Sequence, residues 1–154
     1  ATNDDLQQLV ALSGEVRRLY PALVPDVSSE PEEVEVSEWF SDMLNDESAV
    51  VLVAERKEFV AGYLILKRQA CPDHVFARER QCAYLSQVCV GIKHRGKCIF
   101  DALLEEAKKL ANEWGVDTIE LDVWSDHLDV VRAFAAQGFR IYRERMAMRL
   151  DENQ

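Results

Sequence analysis

The stretch HRGKCIFDALLEEA, His94 to Ala107, decides the reading of this chain. Before it runs AYLSQVCVGI, Ala83 to Ile92, an apolar segment that reads as a buried strand. After its first residues Ile99, Leu103, Ala107, Leu110 and Trp114 recur every three or four positions, with Glu105, Glu106, Lys108 and Lys109 between them, so an amphipathic helix is expected up to Gly115. A helix that starts just after a strand offers unpaired backbone N–H groups and a partial positive charge beyond the strand's end, and anions bind there readily. Gly96 lets the backbone turn tightly and approach a ligand. Arg95 and Lys97 add charge that suits a pyrophosphate better than a lone carboxylate.

Downstream, TIELDV from Thr118 reads as a strand and HLDVVRAFAAQ as a helix with Gly138 as its left-handed terminator. Phe139 to Leu150 reads as a closing strand. Upstream, Asn3 or Asp4 caps a helix whose apolar face is Leu6, Leu9, Val10, Leu12, Val16 and Leu19, and Pro21 and Pro25 end it. Ser37 is expected to cap a second helix with Trp39, Phe40, Met43 and Leu44 on its apolar side. The period then changes: AVVLVA, Ala49 to Ala54, and FVAGYLIL, Phe59 to Leu66, read as a hairpin pair, and Arg68 to Gln81 as a loop. A strand, helix and strand over Ala83 to Val123 require a parallel crossover, whereas the early strands form an antiparallel meander. The expectation is one α/β (α+β) domain, residues 1–154, on a mixed sheet.

Composition narrows the chemistry. Eighteen Lys and Arg against 28 Asp and Glu leave a formal charge of −10, which repels a phosphate backbone, so nucleic acid is not an expected partner and a cationic small molecule or basic peptide is. Nine of the acids, Asp26, Glu30, Glu32, Glu33, Glu35, Glu38, Asp42, Asp46 and Glu47, fall in one stretch with no lysine or arginine. Cys71, Cys82, Cys89 and Cys98 form no CxxC pair, so neither a metal site nor a disulfide framework is indicated. The polar, acidic start ATNDDLQQ and the lack of a long apolar run point away from export and from a membrane, and toward the cytoplasm.

These segments together resemble the GNAT superfamily of acyl-CoA-dependent N-acyltransferases. AYLSQVCV is similar to its central strand, HRGKCIFDALLEEA to its Arg/Gln-x-x-Gly-x-Gly/Ala loop and helix, and IELDVWSDHLDVVRAFAAQGFRIYRERMAMRL to its closing strand, helix and Gly-Phe strand. The resemblance implies a mostly antiparallel sheet with one splayed parallel pair and helices on both faces. It implies acetyl-CoA as cosubstrate, its pyrophosphate on the loop and helix start formed by Arg95, Gly96, Lys97, Cys98, Ile99, Phe100 and Asp101, and its pantetheine arm along Val88, Cys89 and Val90. His127 stands where the family often has an asparagine near CoA, as a contact, a base or a surface cap. An amine acceptor would enter between the first two helices and the sheet, and homodimers are frequent in the family.

The departures bear on catalysis. Phe134 occupies the position of the family's proton-donating tyrosine, and Ser86 and Gln87 match the strand positions where polyamine-type relatives carry a carboxylate base. Asp122 is the nearest carboxylate in this reading, with Glu120 on the same face. Transfer by direct attack needs only positioning and a polarised carbonyl, for which an N–H near Val88 or Val90 serves. The expected activity is acetyl transfer from acetyl-CoA to a primary amine, a small cationic amine or an amino group of a peptide or antibiotic. The alternatives are a CoA-binding module without catalysis, and a thiol protein using Cys98, whose place at a helix start beside Arg95 and Lys97 favours the thiolate.

Overall fold

The structure, a computed structural model, describes residues 1–19, 31–70, 76, 78–96, 98–148 and 150. The chain divides into two compact units, Ala1–Asp122 and Val123–Gln154.

The first unit holds α1 (Leu6–Leu19), α2 (Glu33–Asn45), β1 (Ala49–Arg56), β2 (Phe59–Ala70), β3 (Gln81–Val90), α3 (Ile99–Glu113) and β4 (Ile119–Glu120). The four strands lie in the order β1-β2-β3-β4, the first two pairings antiparallel and β3 with β4 parallel, so the sheet is mixed as expected. The start of the chain is capped differently from the expectation. Thr2 and Asp5 form a reciprocal capping box around a short 3-10 turn, Asn3–Asp5, ahead of α1. Helix α2 begins at Glu33 rather than after Ser37, because Glu32 and Glu35 supply the same reciprocal capping. The strands β1 and β2 run beyond Ala54 and Leu66, with Lys57 and Glu58 alone forming the turn between them.

Cross-strand partners share a face of the sheet, so the register sorts the side chains. On one face α1 and α2 lay Leu9, Val10, Leu12, Val36 and Phe40 against Val51, Val60, Tyr63, Ile65 and Cys89, in one cluster of buried residues. Phe40 meets both Trp39 and Tyr63 edge-on, with ring centroids 5.1 and 5.3 Å apart. On the other face α3 buries Ile99, Leu103, Leu104, Ala107 and Ala111. Gly62 makes this close packing possible, since a Cβ there would stand 2.9 Å from both the Cys89 carbonyl oxygen and Ile99 Cγ2.

In the second unit α4 (Leu128–Ala136) ends at Gly138, φ +95, the left-handed terminator expected there. The closing strand expected over Phe139–Leu150 is not formed: among the described residues of that stretch none belongs to a ladder, and Ile141, Tyr142, Met146, Met148 and Leu150 are exposed. Alternation of apolar and polar residues supplies a face, but a strand needs a partner for its backbone groups. No helix among the described residues is long and apolar enough to cross a membrane.

Candidate active site

The pairing of β3 with β4 covers only Ala83 with Ile119 and Tyr84 with Glu120. From Leu85 to Val90 the outer edge of β3 has no ladder partner among the described residues, while its other edge stays paired with β2. The parallel pairing therefore stops at Tyr84, short of the C-terminal end of β3. Within the β2–β3 ladder Ile65 pairs with Gln87 and Leu66 with Leu85, so Ser86 is an extra, bulged residue. The bulge shifts the alternation. Cys82 and Tyr84 lie on the α1/α2 face before it, and Gln87 and Cys89 lie on that face after it, which puts Val88 on the α3 side with its partner Leu64.

Beyond β3 the chain turns through Ile92–His94, whose first N–H is held by Glu15 Oε1 of α1 at 2.9 Å. Gly96 follows in the left-handed region, φ +72, with no atom within 4 Å of where a Cβ would stand. Cys98, φ +60, is the N-cap of α3 and its carbonyl accepts the first helical hydrogen bond, from Ala102 N–H at 3.0 Å. Two left-handed residues, Gly96 and Cys98, thus precede the first turn of α3, whose amides have no carbonyl below them. Arg95 is exposed and its Nε donates to the Val90 carbonyl at 3.5 Å. Cys98 and Asp101 are exposed, Phe100 is half-buried and Ile99 is buried, so Ile99 packs in the core. Lys97 and Cys71 lie outside the described residues. His94 Nδ1, at the entry to the loop, is buried without a partner among the described residues.

Of the strand residues, Val88 and Val90 are half-buried, and Cys89 directs its thiol to the α1 side, 3.9 Å from the Leu12 carbonyl. Burial pushes that thiol up to about 11. The exposed Asp122 accepts a hydrogen bond from the Tyr84 hydroxyl at 2.8 Å. Tyr84 is pushed up to about 12, first by burial and then by the bond to Asp122 and its charge, so it stays a donor. Glu120 is held in an ion pair by Arg80, which also reaches Thr118 Oγ1 at 2.7 Å. The two carboxylates therefore differ, and Asp122 is the accessible one. In the second unit His127 is the N-cap of α4 without a side-chain capping bond, and Phe134 is buried with its ring edge-on to Phe139 at 5.3 Å.

Tyr63 and Tyr84 carry hydrogen bonds that the sequence did not announce, since each sits in an apolar strand pattern where a tyrosine reads as core. Among the described residues no cluster of His, Cys, Asp or Glu could hold a metal ion.

Residues 15–139 match the sequence model of the Acetyltransferase (GNAT) family. The chain belongs to the GNAT family. Among solved structures, the tetramutant of the BH1408 protein from Bacillus halodurans is similar over 97% of this GNAT chain and 97% of its own, at 24% identity and a TM-score of 0.88. The aminoglycoside antibiotic 6'-N-acetyltransferase AAC(6')-IG from Acinetobacter haemolyticus covers 99% of the chain and 97% of its own at 13% identity and a TM-score of 0.78. The aminoglycoside N-acetyltransferase AAC(6')-Iy, solved in complex with CoA, covers 97% of the chain and 90% of its own at 13% identity and a TM-score of 0.76. These likenesses establish the fold. Among curated protein sequences none matches the chain.

Proposed function

We propose that the protein transfers an acetyl group from acetyl-CoA to a primary amine by direct attack, without a covalent enzyme intermediate. The observation that carries this reading is the opening between β3 and β4 beyond Tyr84, with the left-handed turn at Gly96 and the start of α3 at its end. The family match spans both compact units, which supports reading residues 1–154 as one acetyltransferase domain. Acetyl-CoA, when bound, supplies the acyl thioester. The loop from Arg95 to Asp101 holds its pyrophosphate through backbone N–H groups, with charge from Arg95 and Lys97. The edge of Val88, Cys89 and Val90 receives the pantetheine arm, and a free N–H there polarises the thioester carbonyl.

The acceptor arrives on the α1/α2 face. Asp122, oriented by Tyr84, attracts the acceptor as an ammonium ion and first takes one proton from it; the neutral amine then attacks the thioester carbonyl, and the second proton that nitrogen loses as the C–S bond breaks passes through water. Ser86, on the bulge, and Gln87 border the same place. Phe134 offers no phenol, so water protonates the departing thiolate, which is a tolerable leaving group. His127 serves as a CoA contact from its helix start. The acceptors named for the neighbours are aminoglycosides, which makes a cationic amine, including an aminoglycoside, the first class to try.

Calorimetry with CoA and a thiol-release assay over a panel of amines test the reading together. CoA binding with release that depends on a primary amine is expected. CoA binding without release by any amine would favour a binding module without catalysis, and no CoA binding would overturn both.

A further inference from the structure

Helix α1 and strands β2 and β3 meet at a row of polar side chains that the reaction as drawn does not use. Tyr63 is 1% exposed and Ser13 is 6% exposed, yet both carry hydroxyl groups into the core of the α1/α2 face. The Tyr63 hydroxyl donates to Gln87 Oε1 at 2.8 Å, and the Ser13 hydroxyl and the Cys89 thiol are its other polar neighbours. The phenol's single proton is therefore committed to Gln87. The Phe40 ring, edge-on at 5.3 Å, holds the Tyr63 ring in place. Burial raises the phenol far above its ordinary value, so this donor is present at every working pH.

Gln87 is unlike its two partners because it is exposed. Its oxygen is taken by Tyr63, and its amide nitrogen, with two N–H donors, has no partner among the described residues. The bulge at Ser86 decides where that nitrogen stands. With regular alternation from Tyr84 the α1/α2 face would carry Ser86 and Val88; the extra residue brings Gln87 and Cys89 there instead. Tyr84, which binds Asp122, is on the same face, and from Leu85 onward β4 no longer covers the edge of β3. An amide donor and an accessible carboxylate thus flank one opening.

We propose that Gln87 selects the acceptor, its side-chain amide fixed by Tyr63 so that an N–H is offered to an oxygen carried next to the acceptor's amino group. The inference rests on the acetyl-transfer reading above and narrows its substrate class to amines with a neighbouring hydroxyl or ether oxygen. The amino group goes to Asp122 and the oxygen to Gln87. Tyr63 is a positioning residue, since it touches Gln87 and not the acceptor.

The test compares 2-aminocyclohexanol with cyclohexylamine, two amines of one shape that differ by the oxygen. Parent, Tyr63→Phe, Gln87→Leu and the double variant are assayed by thiol release at saturating acetyl-CoA. Thermal unfolding and CoA calorimetry report that each variant is folded. For 2-aminocyclohexanol, Gln87→Leu should raise KM about ten-fold, the loss of one hydrogen bond, with kcat changing less. Tyr63→Phe should raise KM by a smaller factor, and the double variant should be no worse than Gln87→Leu alone. For cyclohexylamine the KM should hardly move. Factors that multiply in the double variant would make Tyr63 merely structural, and equal losses for both amines would end the claim of oxygen recognition.

A second measurement separates this inference from the activity it rests on. In 15N-labelled, CoA-saturated protein, 2-aminocyclohexanol should shift the side-chain amide resonances of Gln87, cyclohexylamine should not, and Tyr63→Phe should broaden or weaken that response. If the parent turns over neither amine, this titration still decides: a selective shift supports the assignment, and unmoved Gln87 resonances overturn it.

Discussion

Gly96 and two titrating groups of β3, Tyr84 and Cys89, set sharp expectations for single residues. At φ +72 an L side chain is strained by about 1 kcal/mol, but no protein atom lies within 4 Å of the added Cβ. Gly96→Ala should therefore lower stability slightly and weaken CoA binding a few-fold, whereas Gly96→Glu should abolish binding because its carboxylate meets the pyrophosphate. Calorimetry checks this, and a Gly96→Glu protein that binds CoA like the parent would move the anion site elsewhere. The pH response follows from burial. Cys89 is raised from 9.0 to about 11 and Tyr84 from 10.0 to about 12. Above those lower values the unfolded chain has already released protons that the folded chain keeps, so the unfolded state binds fewer and stability falls as pH rises. The contribution is complete below about pH 9 and is lost toward pH 12. Urea midpoints at pH 8, 10 and 11 should decline in the parent and decline less above pH 10 in Tyr84→Phe; parallel declines would remove Tyr84 from the account. The glycine was legible in the sequence as a turn at a helix start. The Tyr84–Asp122 bond was not, because it depends on where the pairing of β3 with β4 brings the residues that follow β4.

Elements were legible where their periodicity was long, and less so where a local device set their ends. The helical stripe from Ile99 to Trp114 predicts α3 closely, and the apolar run from Ala83 predicts β3, because each pattern exceeds what a loop can sustain. The start of α2 moved from Ser37 to Glu33 since Glu32 and Glu35 perform the capping that Ser or Thr usually signals. The bulge at Ser86 belongs to the pairing of two strands, so neither strand's sequence alone contains it. The tail misled for a related reason: Phe139 to Leu150 alternates like a strand without acquiring a ladder among the described residues. The β1–β2 hairpin offers a test at this scale. Lys57 and Glu58 both adopt positive φ, 50° and 68°, in a two-residue turn that favours Asn-Gly. Replacing them by Asn-Gly should stabilise the protein by about 1 kcal/mol, relief of part of the left-handed cost, seen as a higher urea midpoint with unchanged slope. A lower midpoint would mean that the two side chains do more than close the turn.

Across the whole molecule the charge is negative, and its distribution has a direction. Glu32, Glu33, Glu35, Glu38 and Asp42 of α2 and its cap are all exposed, on the helix that covers the proposed acceptor face, while Glu30 lies outside the described residues. Arg95 and Lys97 sit instead at the turn proposed for CoA. Carboxylates beside the entrance raise the local concentration of a cationic amine, and salt screens that attraction over roughly 10 Å at 0.1 M. The acceptor's KM should therefore rise with ionic strength. CoA is polyanionic and gains nothing from α2, so its salt response should depend on Arg95 and Lys97. The variant that separates these effects neutralises Glu33, Glu38 and Asp42 by Gln, Gln and Asn and spares Glu32 and Glu35, which cap the helix. In that variant the acceptor's salt dependence should flatten while that of CoA stays as it was. If the acceptor's KM still climbs with salt to the full extent, the acidic surface of α2 keeps the protein in solution and steers nothing.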